Sequence, residues 1–214
     1  QVAPQTDLIS GSTFATKAMT GSLQGIMSNR MAALRSGDAY ATGMSAGSLS
    51  ANSGFVQLFA TDSEQKNKTV GSGTQFGYDA SSAGIAIGFD GIADNGSVVG
   101  LSISMTQTDV EGKGTGKSKN DIDSYTASIY VDNTTDAGYV EGSLTVGLNE
   151  NNSSRLVNTA GLDRTYKGDY DSEQVSLKIG GGMPNAVGIG YVTPFGSVTA
   201  CLLYTSDAAD DPTC

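Results

Sequence analysis

The sequence predicts an all-β fold: an antiparallel, up-and-down transmembrane β-barrel, only part of which is present, preceded by an amphipathic helix. Three observations predict it. Apolar residues alternate with small or polar residues from Gly54 onward, which is the period of a β-strand. The connections between these segments alternate between short and long. The second face of the segments is mainly Gly, Ala, Ser and Thr, which suits a narrow interior better than a water-facing surface.

Composition excludes several classes of function. The 214 residues include no His and two Cys, so a Ser-His-Asp system, an imidazole metal site and a zinc cluster are excluded. The net charge of −10 argues against a nucleic-acid partner, because phosphate recognition needs a basic surface. No apolar run approaches the roughly 18 residues of a spanning helix. A transmembrane β-barrel needs no such run, because each barrel strand presents only every second residue to lipid.

The N-terminal third is predicted to contain a single helix. Residues 1–11 are polar and read as a linker, and residues 12–36 form the helix, with Arg30 and Arg35 near its C-terminal end. Ser, Gly and Ala dominate residues 37–53, which are predicted to be a connector. The apolar residues of the helix recur mostly three to five positions apart: Phe14, Ala18, Leu23, Met27, Met31 and Leu34.

About seven strands follow within residues 54–200. They are predicted at 54–62, 74–92, 97–110, 121–133, 137–152, 168–183 and 186–200. Tight turns are predicted at 94–96, 133–136 and 183–185, and the long polar connections at 62–74, 107–121 and 150–168. This parity puts the short turns on one rim, as in outer-membrane barrels with short periplasmic turns and long external loops.

The C-terminal segment has a different character. Residues 201–211, CLLYTSDAADD, resemble letter for letter one reading frame of a transposase adapter used in sequencing libraries. We therefore predict that residues 201–214 are an artefactual tail outside the fold. Both cysteines, Cys201 and Cys214, lie in this tail.

Four strand segments and one helix segment resemble a known family. The strand segments are GFVQLFATDSEQ, GYDASSAGIAIGFD, AGYVEGSLTVGLNENNSSR and YVTPFGSVTA. In this order they resemble the strand signatures of the autotransporter β-domain, the translocator of type V secretion. The segment SNRMAALR is similar to the end of the helix that runs through that family's barrel.

The resemblance implies a twelve-stranded barrel in the outer membrane of Gram-negative bacteria, of which residues 54–200 would supply about seven strands. Residues 12–36 would occupy the lumen, and residues 1–11 would link to an N-terminal passenger that passes to the cell surface. The implied partners are outer-membrane lipid, the barrel assembly machinery and the chain's own passenger in cis. Because an open sheet leaves unpaired backbone groups in lipid, we expect that this set of strands does not insert alone as a functional monomer.

Two loops invite other interpretations. Residues 111–120, EGKGTGKSKN, suggest a phosphate-binding loop, but Glu111 stands where the pattern needs Gly, and the loop leads into a strand. The acidic residues Asp163, Asp169, Asp171 and Glu173 lack the spacing of a calcium loop. We interpret both as hydrated external loops and predict neither a cofactor nor a metal.

Four charged residues are candidates for contacts between helix and barrel. Arg30 and Arg35 lie on the helix, and Asp90 and Glu141 lie on the small-residue faces of predicted strands. A charge in a narrow channel needs a partner, so we expect one of the two arginines to pair with Asp90 or Glu141. Simple solvation of the helix end is the alternative.

The leading hypothesis for function is an outer-membrane translocator that exports and anchors a passenger. A secreted β-rich adhesin or fibre segment is the alternative, although no short repeat supports it. A small-molecule porin would not explain the helix. We do not expect an enzyme, because no motif positions a nucleophile or a base.

Overall fold

The structure, a computed structural model, describes residues 6–36, 44–47, 52–71, 73–114, 116–159 and 162–205. In chain order they form α1 (Thr6–Ser36), β1 (Met44–Gly47), β2 (Asn52–Gln65), β3 (Lys68–Val70), β4 (Gly73–Gln75), β5 (Tyr78–Ile92), β6 (Val98–Gly112), β7 (Lys119–Thr135), β8 (Gly138–Thr159), β9 (Leu162–Gly182), β10 (Asn185–Val187), β11 (Gly190–Val192) and β12 (Phe195–Thr205).

One curved antiparallel sheet dominates the fold. Its eight strands lie in the order β1-β2-β5-β6-β7-β8-β9-β12, while β3–β4 and β10–β11 form two small hairpins. Helix α1 packs against β2, β5, β6, β7 and β8 and is hydrogen-bonded to side chains of β9. Because one helix touches six consecutive strands, the sheet must curl around it. The predicted fold class is confirmed, and within the described residues the sheet is open, with β1 and β12 at its edges.

The two faces of the sheet are reversed relative to a soluble protein. On β6, burial alternates strictly from Val98 to Val110. The side chains buried against α1 include Ser102, Ser104 and Thr106, whereas Leu101 and its apolar neighbours on the other face are 45–61% exposed. Polar residues inside and apolar residues outside are typical of a barrel that faces lipid.

The exposed apolar residues form a band. Leu101, Ile129, Leu144 and Leu177 lie side by side in register on neighbouring strands. Along β8 the band runs from Val140 to Leu148, about 26 Å at 3.3 Å per residue. At the usual strand tilt it is roughly 20 Å tall, close to the apolar height of outer-membrane barrels.

The band separates two rims. We call the rim that carries the connections β5–β6, β7–β8 and β9–β12 the turn rim, and the opposite rim the loop rim. Two of the predicted tight turns lie on the turn rim, at 93–97 and 136–137. At the loop rim both β8 and β9 extend about ten residues beyond the band. β8 ends there at Thr159, and β9 begins there at Leu162.

Helix α1 begins at Thr6, inside the segment 1–11 that was predicted to be a linker, and ends at Ser36 as predicted. The early start has a tertiary cause, because Leu8 and Ala15 pack in an apolar cluster with Val110 and Ile122. Among the described residues, no helix has a stretch that is long and apolar enough to cross a membrane.

The strands are longer than predicted. The predicted connector 37–53 contains β1 and the first two residues of β2. The loop predicted at 150–168 is wrong, because β8 and β9 fill most of it. Within this segment the Ser153 hydroxyl donates to the carbonyl of its cross-strand partner Gly168 at 2.7 Å. The last strand continues to Thr205, within the predicted tail, and pairs with Ser172 of β9. Residues 206–214 lie outside the described residues.

The third predicted turn, at 183–185, is also wrong. Residues 183–194 instead contain the β10–β11 hairpin, which closes through Gly188 at a φ of 62°. A positive φ is accessible to Gly at little steric cost, which explains why the reversal occurs there and not at the predicted site.

Candidate functional site

The candidate site is the interface between α1 and the inner face of the sheet. Near the loop rim, Leu8 and Ala15 pack against Tyr78 and Val110. Near the turn rim, Arg30 and Arg35 contact the ends of β5, β7 and β8. The helix therefore crosses the full height of the band, with its N-terminus at the loop rim.

The middle of the interface is apolar on one side of the helix. Met19, Leu23 and Met27 are at most 2% exposed and form a cluster with Phe55 and Tyr130 of the sheet. These rings lie over glycines of adjacent strands: a Cβ on Gly88 would overlap the Phe55 ring, and a Cβ on Gly100 would overlap the Tyr130 ring. The absence of side chains at the two glycines creates the room that the aromatic rings need beside the helix.

Neutral hydrogen bonds connect the other side of the helix to the sheet. Thr20 donates to Oε1 of Gln174 at 2.8 Å, and Nε2 of Gln24 donates to the hydroxyl of Ser176 at 2.8 Å. Nearer the loop rim, Nδ2 of Asn120 donates to the Ser12 hydroxyl at 2.8 Å. Each of these hydrogen bonds contributes a modest net free energy. The helix is therefore attached to the sheet by many small polar contacts on this side and by apolar packing on the other.

The first charged group centres on Arg30. Its side chain is fully buried, and its Nε donates to Oδ2 of Asp90 at 2.7 Å. Nη2 donates to Oδ1 of the same carboxylate at 3.1 Å and to Ser53 at 2.5 Å. Asp90 also accepts hydrogen bonds from Ser53 and, at 2.9 Å, from the Tyr130 hydroxyl. The guanidinium lies 5.3 Å from the centre of the Phe55 ring. This pair is therefore enclosed and hydrogen-bonded on several sides.

The second charged group centres on Glu141. Arg35 donates to Asp132 and places Nη1 and Nη2 each 3.3 Å from Oε2 of Glu141. The Ser28 hydroxyl donates to Oε1 of Glu141 at 2.7 Å, and Nζ of Lys178 donates to Ser28 at 2.6 Å and lies 3.9 Å from Oε1. Two acids and two bases thus form one network at the turn rim.

The structure brings all four sequence candidates into these two groups. Sequence reasoning missed Asp132, which lies opposite Glu141 in the β7–β8 register, and Tyr130, two positions before it. The signal was available, because both alternate with the lipid-facing Ile129 and Val131 and so belong to the inner face. It missed Lys178 because a lysine on that face had no partner until β9 was placed next to β8.

The other sequence candidates lie outside this interface. Lys117 and Ser118 belong to the β6–β7 connection, which leads into a strand. Asp169, Asp171 and Glu173 are exposed on β9, and the side chain of Asp163 lies outside the described part. Among the described residues no group of His, Cys, Asp and Glu has the arrangement of a metal site.

A surface ion pair holds the β6–β7 connection against the sheet. Nζ of Lys113 lies 2.8 Å from Asp79 and 2.7 Å from Glu64. Hydrogen bonds to Asp79 and then to Glu64 raise the pKa of Lys113 above its ordinary value. The lysine therefore stays charged to a higher pH than a lysine without these partners would.

A family model, the autotransporter beta-domain, matches residues 33–211. The chain belongs to the autotransporter β-domain family. By family it is an outer-membrane translocator domain. The match takes in the end of α1 and every strand, and it includes residues 201–211, so the family model does not separate the predicted tail from β12. The origin of that tail stays a prediction.

Two proteins similar to this autotransporter domain agree with the assignment. Over 125 residues the chain is 30% identical to outer membrane protein B of Rickettsia japonica, and the alignment covers 55% of the chain and 7% of that protein. The chain thus spans a small part of that relative. The translocator domain of the autotransporter NalP from Neisseria meningitidis has the same fold, with a TM-score of 0.63 at 18% identity over 91% of this chain and 60% of that one.

Proposed function

We propose that this domain exports the polypeptide preceding α1 through the space that α1 fills, and that α1 then remains there as plug and anchor. The direction of the helix carries the proposal. The N-terminal half of α1 packs near the loop rim and its C-terminal end lies at the turn rim. Any polypeptide joined to Thr6 therefore emerges at the loop rim, which the long polar strand extensions identify as the external one.

The dimensions of the helix suit this role. Its 31 residues are about 46 Å long at 1.5 Å per residue, more than twice the roughly 20 Å height of the apolar band. The chain thus passes from one aqueous side to the other inside the sheet. The chain enters the sheet again as β2, which begins with Asn52 at the turn rim.

The inner face is suited to transport followed by anchoring. Small hydroxyl residues such as Ser102, Ser104 and Thr106 line it, and they offer hydrogen bonds without the strong charge that would trap a passing chain. The charged groups around Arg30 and Arg35 lie at the turn rim, where they hold the last segment that enters. We propose that no chemical step belongs to this domain.

The proposed partners follow from the two faces. The apolar band contacts outer-membrane lipid, and the barrel assembly machinery inserts the strands. The inner face contacts the passenger during export and α1 afterwards. Support comes from the reversed polarity of the faces.

The topology can be tested in the full-length protein in Gram-negative cells. A short epitope is placed directly before Gln1, and a matched control carries the same epitope in the turn at Asn95. We expect antibody to bind the first epitope on intact cells and the second only after the outer membrane is permeabilised. The opposite pattern would reject the proposed direction of export.

A further inference from the structure

The β9–β12 connection differs from the β5–β6 and β7–β8 connections of the turn rim. Those are tight and contain an acid, Asp94 in one and Asp136 in the other. The β9–β12 connection spans residues 183–194 and contains the β10–β11 hairpin. No charged residue occurs in the chain between Lys178 and Asp207.

The hairpin is a continuation of the β9–β12 ladder. Gly182 pairs with Phe195, and Asn185 pairs with Val192 in the same register. Between these pairs the ladder is interrupted at Pro184 and Pro194, which have no N–H to donate, although the Met183 amide still donates to the Pro194 carbonyl at 3.1 Å. Six residues in each arm therefore extend about 20 Å beyond the Gly182–Phe195 pair.

The lipid-facing column of the sheet runs on into this hairpin. Ile179 and Val198 are a lipid-facing pair of β9 and β12. Because side chains alternate along a ladder, the register places Met183, Val187 and Val192 on the same face. These three side chains are 59–63% exposed. At the tip, Ile189 is fully exposed.

We propose that the β10–β11 hairpin is a lipid anchor that inserts its apolar face and its tip into the inner leaflet of the outer membrane. An exposed aliphatic patch of this kind marks a membrane or protein contact. Continuity with the apolar band favours lipid, since the same face of the same ladder already meets the bilayer. The acids of the two tight turns keep those turns in water, and the uncharged hairpin has no such restraint.

A groove at the base of the hairpin fits the same occupant. It has a volume of about 570 Å³, and Val140, Gly181, Gly196 and Met183 contribute to its wall. Glycines at 181 and 196 leave the lipid side of the strands without side chains at this level. An acyl chain of the inner leaflet can enter there beside the hairpin.

The anchor rests on the outer-membrane placement of the domain, and the test separates the two. The full-length protein, with its native cysteines replaced by Ser, is reconstituted in vesicles of phosphatidylethanolamine and phosphatidylglycerol that contain no other protein. Single cysteines are introduced as Ile189→Cys at the tip, Asn95→Cys in a polar turn of the same rim, and Leu101→Cys in the band. Each carries an environment-sensitive fluorophore, which is quenched by aqueous iodide or by spin-labelled lipid.

We expect the fluorophore at position 189 to lose iodide quenching and to be quenched by lipid labelled near the headgroup, while position 95 shows the reverse. Position 101 should be quenched by lipid labelled deep in the acyl chain. If position 189 behaves like position 95 while position 101 is in lipid, the anchor is rejected, and a partner protein becomes the occupant to look for. If position 101 is also in water, the membrane placement fails and the anchor fails with it.

Discussion

Replacing Arg30 by Met should markedly weaken the attachment of α1 to the sheet. The Arg30 side chain is fully buried and the Asp90 side chain is 2% exposed, so solvent cannot take over from the missing partner. Removing one member of a buried ion pair costs about 3–5 kcal/mol. Asp90 keeps the hydrogen bonds from Tyr130 and Ser53, which places the expected loss near 3 kcal/mol, roughly a hundredfold in the folding equilibrium.

The measurement is urea unfolding of the detergent-folded full-length protein, followed by circular dichroism and extrapolated to zero denaturant. The double variant Arg30→Met with Asp90→Asn removes the uncompensated charge as well, so it should be more stable than the sum of the two single losses predicts. The matched control is Lys17→Met on the exposed side of α1, which should stay within about 0.5 kcal/mol of the parent. Additive losses in the double variant, or an equal loss at Lys17, would refute the reasoning.

Three further predictions concern the sheet. Gly100→Val should destabilise the protein by about 1–3 kcal/mol, because the valine side chain would displace the Tyr130 ring beside α1. The matched control is Gly196→Val, where a Cβ meets nothing within 4 Å, and it should have little effect in the same unfolding assay. Leu101→Arg should reduce the free energy of folding into lipid vesicles by about 2–4 kcal/mol, and Gln107→Arg, on the same face nearer the loop rim, by at most about 1 kcal/mol; equal losses would contradict the position of the band. The raised pKa of Lys113 means that its ion pair stabilises the fold below the ordinary lysine pKa, as long as Glu64 and Asp79 are ionised, and is lost as pH rises through the raised value. The stability difference between the parent and Lys113→Met should therefore persist through neutral pH and shrink in strongly alkaline solution. A difference that shrinks already near neutral pH would contradict the ion pair.

Much of the fold could be predicted because lipid exposure leaves a local signal. Residues such as Leu101, Ile103 and Met105 are apolar at every second position whatever their neighbours are. The tight turns at 93–97 and 136–137 could be predicted for a similar reason, since Asn-Gly and Asp-rich turns depend on their own backbone preferences. These features are confirmed because each depends on a few consecutive residues.

The errors share a physical cause as well. Residues 150–168 are rich in Asn, Ser and Asp, which favour loops locally, yet pairing between β8 and β9 holds them extended. Helix α1 begins at Thr6 because Leu8 meets an apolar surface made by β5, β6 and β7. The turn predicted at 183–185 lies where the ladder is only interrupted, and the reversal falls at Gly188.

The candidate site likewise has features that the sequence predicts and contacts that depend on the tertiary structure. The sequence could nominate Arg30, Arg35, Asp90 and Glu141, because charges on a small-residue face need partners. It could not assign Arg30 to Asp90 or Arg35 to Asp132, or find a partner for Lys178, since those contacts join residues 60 to 150 positions apart.

By itself, the sequence determined that this protein is a β-sheet with lipid on one face and a helix ahead of it, because alternation and helical period are properties of neighbouring residues. Only the tertiary structure decided the direction of α1 across the band, the partners of Arg30 and Arg35, and the extension of the β9–β12 ladder beyond the rim. Each of these depends on the register between strands distant in the chain, and one residue of register moves a side chain from the lumen to the lipid.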